Sequence, residues 1–434
     1  MRHLSHTGLA VEIFHAALKA VDPYAATKVY TDKIISVYKN GDFKRLIVIG
    51  FGKAACSMAR AVEDELGDLI GAGIIITKYG HADYPSSKIK IHEAGHPVPD
   101  ENGLKGTKEI IKLLKGANEN TLVVCLVSGG GSALLVSPHE GISLDDKQRI
   151  TQLLLKAGAD IYELNTVRKH ISRVKGGRLA EIAYPAEIIS LILSDVIGDR
   201  LDVIASGPTS PDNSTYNHAI ATIEKYGLTG KSPKNIVDIL QKGTAGLINE
   251  TPKEGDNFFK KVENIIIGSN QKALEAAKIK AASLGLQTEI MSSEITGEAR
   301  EIGKRLANIA LKHSLNRLSG LNSLISGGET TVTVKGNGLG GRNMELALSF
   351  AIEIEGIEGI TLLSVGTDGT DGPTDAAGAI VDGDTIKKTR AIGLDPLEYL
   401  ANNDSYNFFK KIDGLLITGP TGTNVMDIQI MVIE

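Results

Sequence analysis

The sequence predicts an α/β protein built as two Rossmann-like three-layer domains with mostly parallel sheets and an interdomain cleft, and three observations carry this. A short β-branched run, a glycine-rich break and a segment with helical spacing recur along the chain, which is the pattern of parallel strands joined by crossover helices. The chain has 434 residues, too many for one ordinary domain of roughly 100 to 200 residues. Its 48 glycines, about 11% of the residues against a usual ~7%, stand beside the apolar runs rather than in low-complexity sequence.

In chain order, RLIVIG (45–50) reads as the first strand. It leads through GFGK into a helix with Ala55, Met58, Ala59, Val62 and Leu66 on one face. Then come GIIIT (73–77), LVVCLV (122–127) opening into SGGGS, and EIISLIL (187–193) opening into SDVIGD. ENIIIG (263–268), SLIS (323–326) and TLLSVG (361–366) follow, and GLLIT (414–418) is expected to be the last strand. Between 241 and 259 the sequence loses periodicity and collects Gly, Pro and charge, so domain one is expected at 1–240, a linker at 241–259 and domain two at 260–434. Continuous apolar strands are buried on both faces, which places ligand chemistry at their carboxyl ends, where the glycine-rich loops begin.

Composition narrows the function. With 47 basic and 52 acidic residues the net charge is −5, which gives no general attraction to a polyanion, so no nucleic-acid partner is expected. Two cysteines, Cys56 and Cys125, are too few for a disulfide framework or a cysteine-rich zinc site and suit a reducing cytoplasm. The amino terminus lacks the pattern of a signal peptide, and the longest uncharged stretch, 120–138, is broken by VSGGGS, so no membrane partner is expected.

The loops then supply candidate chemistry. A Walker A loop is excluded, because its first glycine and its Ser/Thr would fall on Ile47 and Ala54. Gly50, Gly52 and Ala55 fit a permissive dinucleotide fingerprint, but the next strand ends Thr77-Lys78 where an acidic residue would hold the ribose. What remains is Lys53 beside a helix amino terminus, a place where N–H groups, helix dipole and ammonium all favour an anion. In SGGGS, Gly129, Gly130 and Gly131 can turn several N–H groups toward one volume, with Ser128 and Ser132 adding hydroxyls, as in a phosphate nest. The segment 165–178 is strongly basic and free of acids; Lys175 and Arg178, flanking two glycines, are the members expected to reach an anionic ligand. Asp195, with Asp199 and Asp202 close behind, ends a buried strand and is the candidate for Mg²⁺ or for the acceptor hydroxyl. In the second half, Gly328 and Glu329 close a strand, a hairpin is expected to follow, and a Gly-rich run delivers Arg342 and Asn343 to a helix start as donors for a carboxylate or phosphate. Asp368, Asp371 and Asp375 alternate with Gly and Thr outside any EF-hand spacing. Two domains rich in anion-binding loops describe phosphoryl transfer between a nucleotide and a small anion.

The segments VIGFGKAACSMA, CLVSGGGSALL, ILSDVIGDRLDVIASGPT, SGGETTVTVKGNGLGGRNMELALS, GTDGTDGPTDAAGAIVDG and GPTGTNVMDIQI, in this order over nearly the whole chain, resemble the signature blocks of the glycerate kinases that carry a MOFRL carboxy-terminal domain. The resemblance implies ATP-dependent, Mg²⁺-assisted phosphorylation of D-glycerate, giving 2-phosphoglycerate in the archaeal-type branch. On this reading Lys53, Asp195 and Arg342 are catalytic, Lys53, Ser128, Arg342 and Asn343 bind substrate, and Asp195 meets the metal. The nucleotide and its phosphates fall to Gly129, Gly130, Gly131, Ser132, Lys175, Arg178, Gly328, Glu329 and Asp368. The reading allows a homodimer. Its rivals are an NAD(P)H-dependent hydroxypyruvate reductase, a label some family members bear, and a metabolite-binding protein without catalysis.

Overall fold

A computed structural model describes residues 5–82, 84–315 and 320–434. It holds two six-stranded sheets in two compact units, one comprising Pro23–Ser194 and Asp199–Ile267, the other Gly268–Glu434 with the segments up to Asp22 and Asp195–Gly198.

The first sheet contains β1 (Arg45–Phe51), β2 (Ile70–Lys78), β3 (Ile89–Ala94), β4 (Thr121–Val127), β5 (Glu187–Leu193) and β6 (Val262–Gly268), in the order β3-β2-β1-β4-β5-β6. β1 runs parallel to β2 and β4, as β2 does to β3 and β4 to β5. Every residue of β4 is buried, as a strand covered on both faces requires. One cover is the helix Ala55–Leu66, whose Met58, Ala59 and Val62 pack on Val48, Val124 and Leu191. A separate helical cluster, with Ile150, Leu154, Leu164 and Val167 on buried stripes, supports the segment 144–170.

The second sheet contains β7 (Gln287–Ile295), β8 (Asn322–Gly328), β9 (Ile360–Gly366), β10 (Gly378–Asp382), β11 (Leu415–Leu416) and β12 (Asp427–Ile433), in the order β11-β10-β9-β12-β8-β7. Here only β7 and β8 are parallel; β12 is antiparallel to both β8 and β9, β9 to β10, and β10 to β11. The sheet is therefore mixed within the α/β class. The carboxy-terminal strand inserts at its centre, with Ile430 opposite Ile325 on one side and Leu363 on the other. The expected last strand at 414–418 shrinks to two edge residues, and DIQIMVI, buried at all seven positions, takes the central place. No hairpin follows Glu329: Thr331 forms one isolated bridge to Glu298, and the run to Gly341 is loop. The helix Arg342–Glu353 has nine residues buried, so it is enclosed rather than amphipathic.

The boundary expected at 241–259 falls later, because β6 is the edge strand of the first sheet. The helix His6–Ala20 belongs with the second unit, where Leu9, Ile13, Phe14 and Ala17 share a core with Leu274, Ala277 and Ile428. No helix of the described residues is long and apolar enough to cross a membrane.

Candidate active site

In the first unit the two glycine-rich loops at the carboxyl ends of β1 and β4 are tied together. The Lys53 N–H donates to the Gly129 carbonyl at 2.9 Å, and the Ser128 hydroxyl accepts from the Ala54 N–H at 3.1 Å. Ser128 is buried and its hydroxyl serves the start of the Ala55–Leu66 helix. Gly130 has φ +79°, and a Cβ there would lie 2.9 Å from His96 Cδ2 and 3.4 Å from Lys53 Cγ; both conformation and crowding require glycine. Gly131 begins a helix of one turn, Gly131–Leu134, and the Ser132 hydroxyl contacts Ser206 Oγ at 2.8 Å. The three glycines thus bring strand ends, His96 and Lys53 together.

Beside this loop lies a cavity of about 300 Å³ whose wall includes His96, Gly130, Ser132, Lys147, Gln148 and Arg168, with no carboxylate anywhere in the lining. Burial pushes the Lys147 ammonium down to about 7, helped by the Arg168 charge. Lys175, wholly buried behind Ser132, donates to the Ser132 carbonyl at 2.9 Å and its hydroxyl at 3.2 Å. Burial, with Lys147 and Arg168 nearby, holds Lys175 well below the ordinary lysine range. Arg168 Nε is buried without a hydrogen-bond partner. Burial, and then Lys53, Lys78 and His81, lower His96 to about 4, so the imidazole is neutral at pH 7. Arg178 lines neither cavity: its Nη2 donates to Tyr216 and to the Asn249 carbonyl. The basic segment does reach a cavity, through Arg168 instead.

The second unit presents a larger cavity of about 760 Å³ whose lining includes Ile197, Glu329, Val334, Arg342, Asp368 and Asp371. Arg342 opens its helix with both faces of the guanidinium engaged. Nε and Nη2 donate to Asp427 at 2.6 and 3.0 Å, and Nη1 to Glu329 at 2.6 Å. Burial opposes its charge, but Asp427 and Glu329 together hold Arg342 above its ordinary value. Asp427, the first residue of β12 and wholly buried, is pushed up to about 6 by burial against the pull of Arg342. Asp371 accepts from the N–H groups of Met344 at 2.8 Å and Asn343 at 3.1 Å, capping the helix start from a distant loop; burial pushes it up to about 7.

Asn343 is buried, with its Oδ1 accepting from Ser364 and its Nδ2 3.5 Å from Asp371. Gly328, with φ +143°, would set a Cβ 2.2 Å from the Ile295 carbonyl, so glycine there permits close approach of β7. Asp368 accepts from the N–H and hydroxyl of Thr370, an Asx turn on the cavity wall. Asp375 receives the Tyr406 hydroxyl. Asp202 is paired with Arg200 at 2.9 Å. Asp195 follows β5 in a segment that groups with the second unit, two residues before Ile197 of the cavity wall. Among the described residues no three His, Cys, Asp or Glu side chains converge on a metal position.

Lys147, Arg168, His96 and Asp427 were not singled out as site residues from the sequence. A signal existed for the first two. Lys147 shares a helical stripe with buried Ile150 and Leu154, and Arg168 lies four residues after buried Leu164, so each puts a cation on an apolar face.

Two sheets, one unit with Lys147 and Arg168 on helices at a cavity without acids and the other with an arginine–carboxylate cluster, define an α/β protein with a charged cavity on each unit. Residues 9–241 match a domain of unknown function (DUF4147), and residues 322–427 match the MOFRL family. Over 425 residues the chain is 50% identical to a D-glycerate 2-kinase of Thermotoga maritima, covering 97% of each chain. It is 45% identical to a glycerate 2-kinase of Pyrococcus horikoshii (98% of this chain, 97% of the other), and 42% identical to a putative hydroxypyruvate reductase of Agrobacterium vitis (97% and 93%). A crystal structure of glycerate kinase from Thermotoga maritima superposes with a TM-score of 0.89 at 49% identity, covering 98% of this chain and 99% of that one. The chain belongs to the glycerate kinase family that carries the MOFRL domain.

Proposed function

We propose that this protein phosphorylates D-glycerate at the 2-hydroxyl, with ATP as donor and Mg²⁺ as its counter-ion, in the cytoplasm. The observation that carries the reading is near-full-length kinship to two glycerate 2-kinases. The donor and acceptor chemistry divides between the two cavities. The small one, walled by cations and by no acid, suits an anionic acceptor. The larger one is lined by Glu329 and Asp368, which would repel a bare triphosphate and suit one whose charge a metal has balanced.

The residues fit Mg²⁺ in the form kinases use. No complete protein cage exists among the described residues, and Mg²⁺ is usually held by one or two carboxylates with phosphates and water supplying the rest. Asp195 and Asp368 are the proposed carboxylates. When bound, the ion neutralises the oxygens that gain charge as the phosphoryl moves. Lys53, at the loop between β1 and its helix, presents an ammonium to the acceptor side, and Gly129–Ser132 shape that side. Arg342, fixed by Asp427 and Glu329, keeps further N–H donors for the transferring phosphoryl. The acceptor oxygen forms the new P–O bond, its proton leaves to a base or water, and ADP departs with the electrons of the broken bond. A chain of 434 residues with two cysteines, Cys56 and Cys125, both buried, accords with a reducing compartment.

The reductase reading lacks its ribose carboxylate, since β2 ends Thr77-Lys78 and the Thr77 hydroxyl is spent on the Gly52 carbonyl at 3.2 Å. The test runs both reactions on one preparation. ADP release requiring D-glycerate and Mg²⁺ is expected. NADH oxidation by hydroxypyruvate, without glycerate-dependent ADP release, would reverse the assignment.

A further inference from the structure

We propose that Lys147, Arg168 and the buried Lys175 behind them form a dedicated subsite for the carboxylate of the acceptor acid. The inference rests on D-glycerate being that acceptor and names the residues that select it. Lys147 and Arg168 line a cavity whose lining contains no Asp or Glu, and Lys175 lies buried behind Ser132. Burying a charge without a counter-charge is costly, so an arrangement of this kind is stabilised by an anion that binds there. Lys147 and Arg168 have donors to spare. Among the described residues no hydrogen bond is drawn from Lys147 Nζ, which belongs to a residue only 4% exposed, and Arg168 Nε is buried without a partner. A planar guanidinium beside an ammonium matches a carboxylate, one oxygen to each.

The size of the cavity selects the ligand. At about 300 Å³ it stands at the lower end of small-molecule pockets, ample for a three-carbon acid and small for a nucleotide. Val98, Pro99, Ala133 and Leu155 supply the apolar part of the wall. Gly130 belongs to this wall and also packs against the Lys53 side chain. A carboxylate on Lys147 and Arg168 therefore leaves the rest of a short acid directed toward Gly130 and Lys53. Lys53 then serves the reacting hydroxyl and incoming phosphoryl, while the deeper cations recognise the acid.

Steady-state kinetics of Lys147→Met and Arg168→Lys, with a D-glyceramide comparison, test this. Both variants should raise KM for D-glycerate at least tenfold and hold KM for ATP within about twofold. Wild type should bind D-glycerate far better than neutral D-glyceramide, measured by thermal shift without ATP, and Lys147→Met should lose most of that preference. Equal binding of acid and amide by the wild type would overturn the subsite, as would a rise in KM for ATP alone. If D-glycerate binds with this selectivity but is not phosphorylated, the kinase reading fails and the subsite stands. If phosphorylation proceeds with unchanged glycerate KM in both variants, the subsite fails and the kinase reading stands.

Discussion

Arg342 offers the sharpest test of the second unit, because its geometry couples two substitutions. Removing it by Arg342→Ala deletes the cation proposed to meet the transferring phosphoryl; an arginine in that role contributes about 10³- to 10⁵-fold in kcat, or roughly 4 to 7 kcal/mol. Asp427→Asn keeps Arg342 but replaces a carboxylate that accepts at 2.6 and 3.0 Å with an amide that accepts at one atom and turns N–H groups toward N–H groups. Losing one charge-assisted bond is worth about 1.5 to 3 kcal/mol. Breaking a fully buried pair costs about 3 to 5, but the Arg342 side chain is 34% exposed and retains Glu329, so the lower range applies. A guanidinium freed to shift by about 1 Å costs on the order of 10²-fold in turnover. Asp427→Asn is therefore expected to lower kcat about 10- to 100-fold, with little change in KM for glycerate. Because Asp427 acts through Arg342, the double variant should be no slower than Arg342→Ala alone. The assay is ADP release at saturating substrates for wild type, both single variants and the double variant. Additive losses in the double variant, or an Arg342→Ala enzyme within threefold of wild type, would refute the reasoning.

Two further outcomes follow from the same geometry. Asp371, raised to about 7 in the fold, binds a proton there that the unfolded chain releases near pH 4, so its contribution makes stability fall as pH rises across that window. Asp371→Asn, which can still accept from Met344, should flatten the slope of urea-unfolding free energy between pH 5 and about 7.5; an unchanged slope would contradict the assignment. Asp195→Asn should cut kcat strongly while leaving the far-UV circular dichroism and melting temperature near wild type; near-wild-type kinetics at saturating Mg²⁺ would remove Asp195 from the metal.

What the sequence disclosed depended on the kind of signal each element carried. β1, β4 and β5 are continuous apolar runs followed by loops that contain glycine, so both the strands and their loops were legible. β12 was missed because Asp427 and Gln429 interrupt DIQIMVI after a turn-rich stretch, yet both are buried at the centre of the sheet, one under Arg342 and the other bonded to Ser326. β7 is a half-buried edge strand with scattered polar residues and gives no apolar run to read. β6 was visible as a strand, but nothing local tells which sheet will take it. At the strand ends, clustered glycines mark the loops, and several of them, like Asn343, also answer close packing. The buried cations were harder, since charge in a helical segment ordinarily reads as surface until its stripe is compared with the apolar one.

The measurement that tests the central claim most directly is a ³¹P and ¹³C NMR spectrum of the product formed from D-glycerate, ATP and Mg²⁺. The account predicts 2-phosphoglycerate, with phosphorus coupled to the carbon beside the carboxylate and ADP appearing in equal amount. A spectrum showing phosphorus on the terminal carbon would contradict the assigned position, and unreacted glycerate beside intact ATP would contradict the kinase assignment itself.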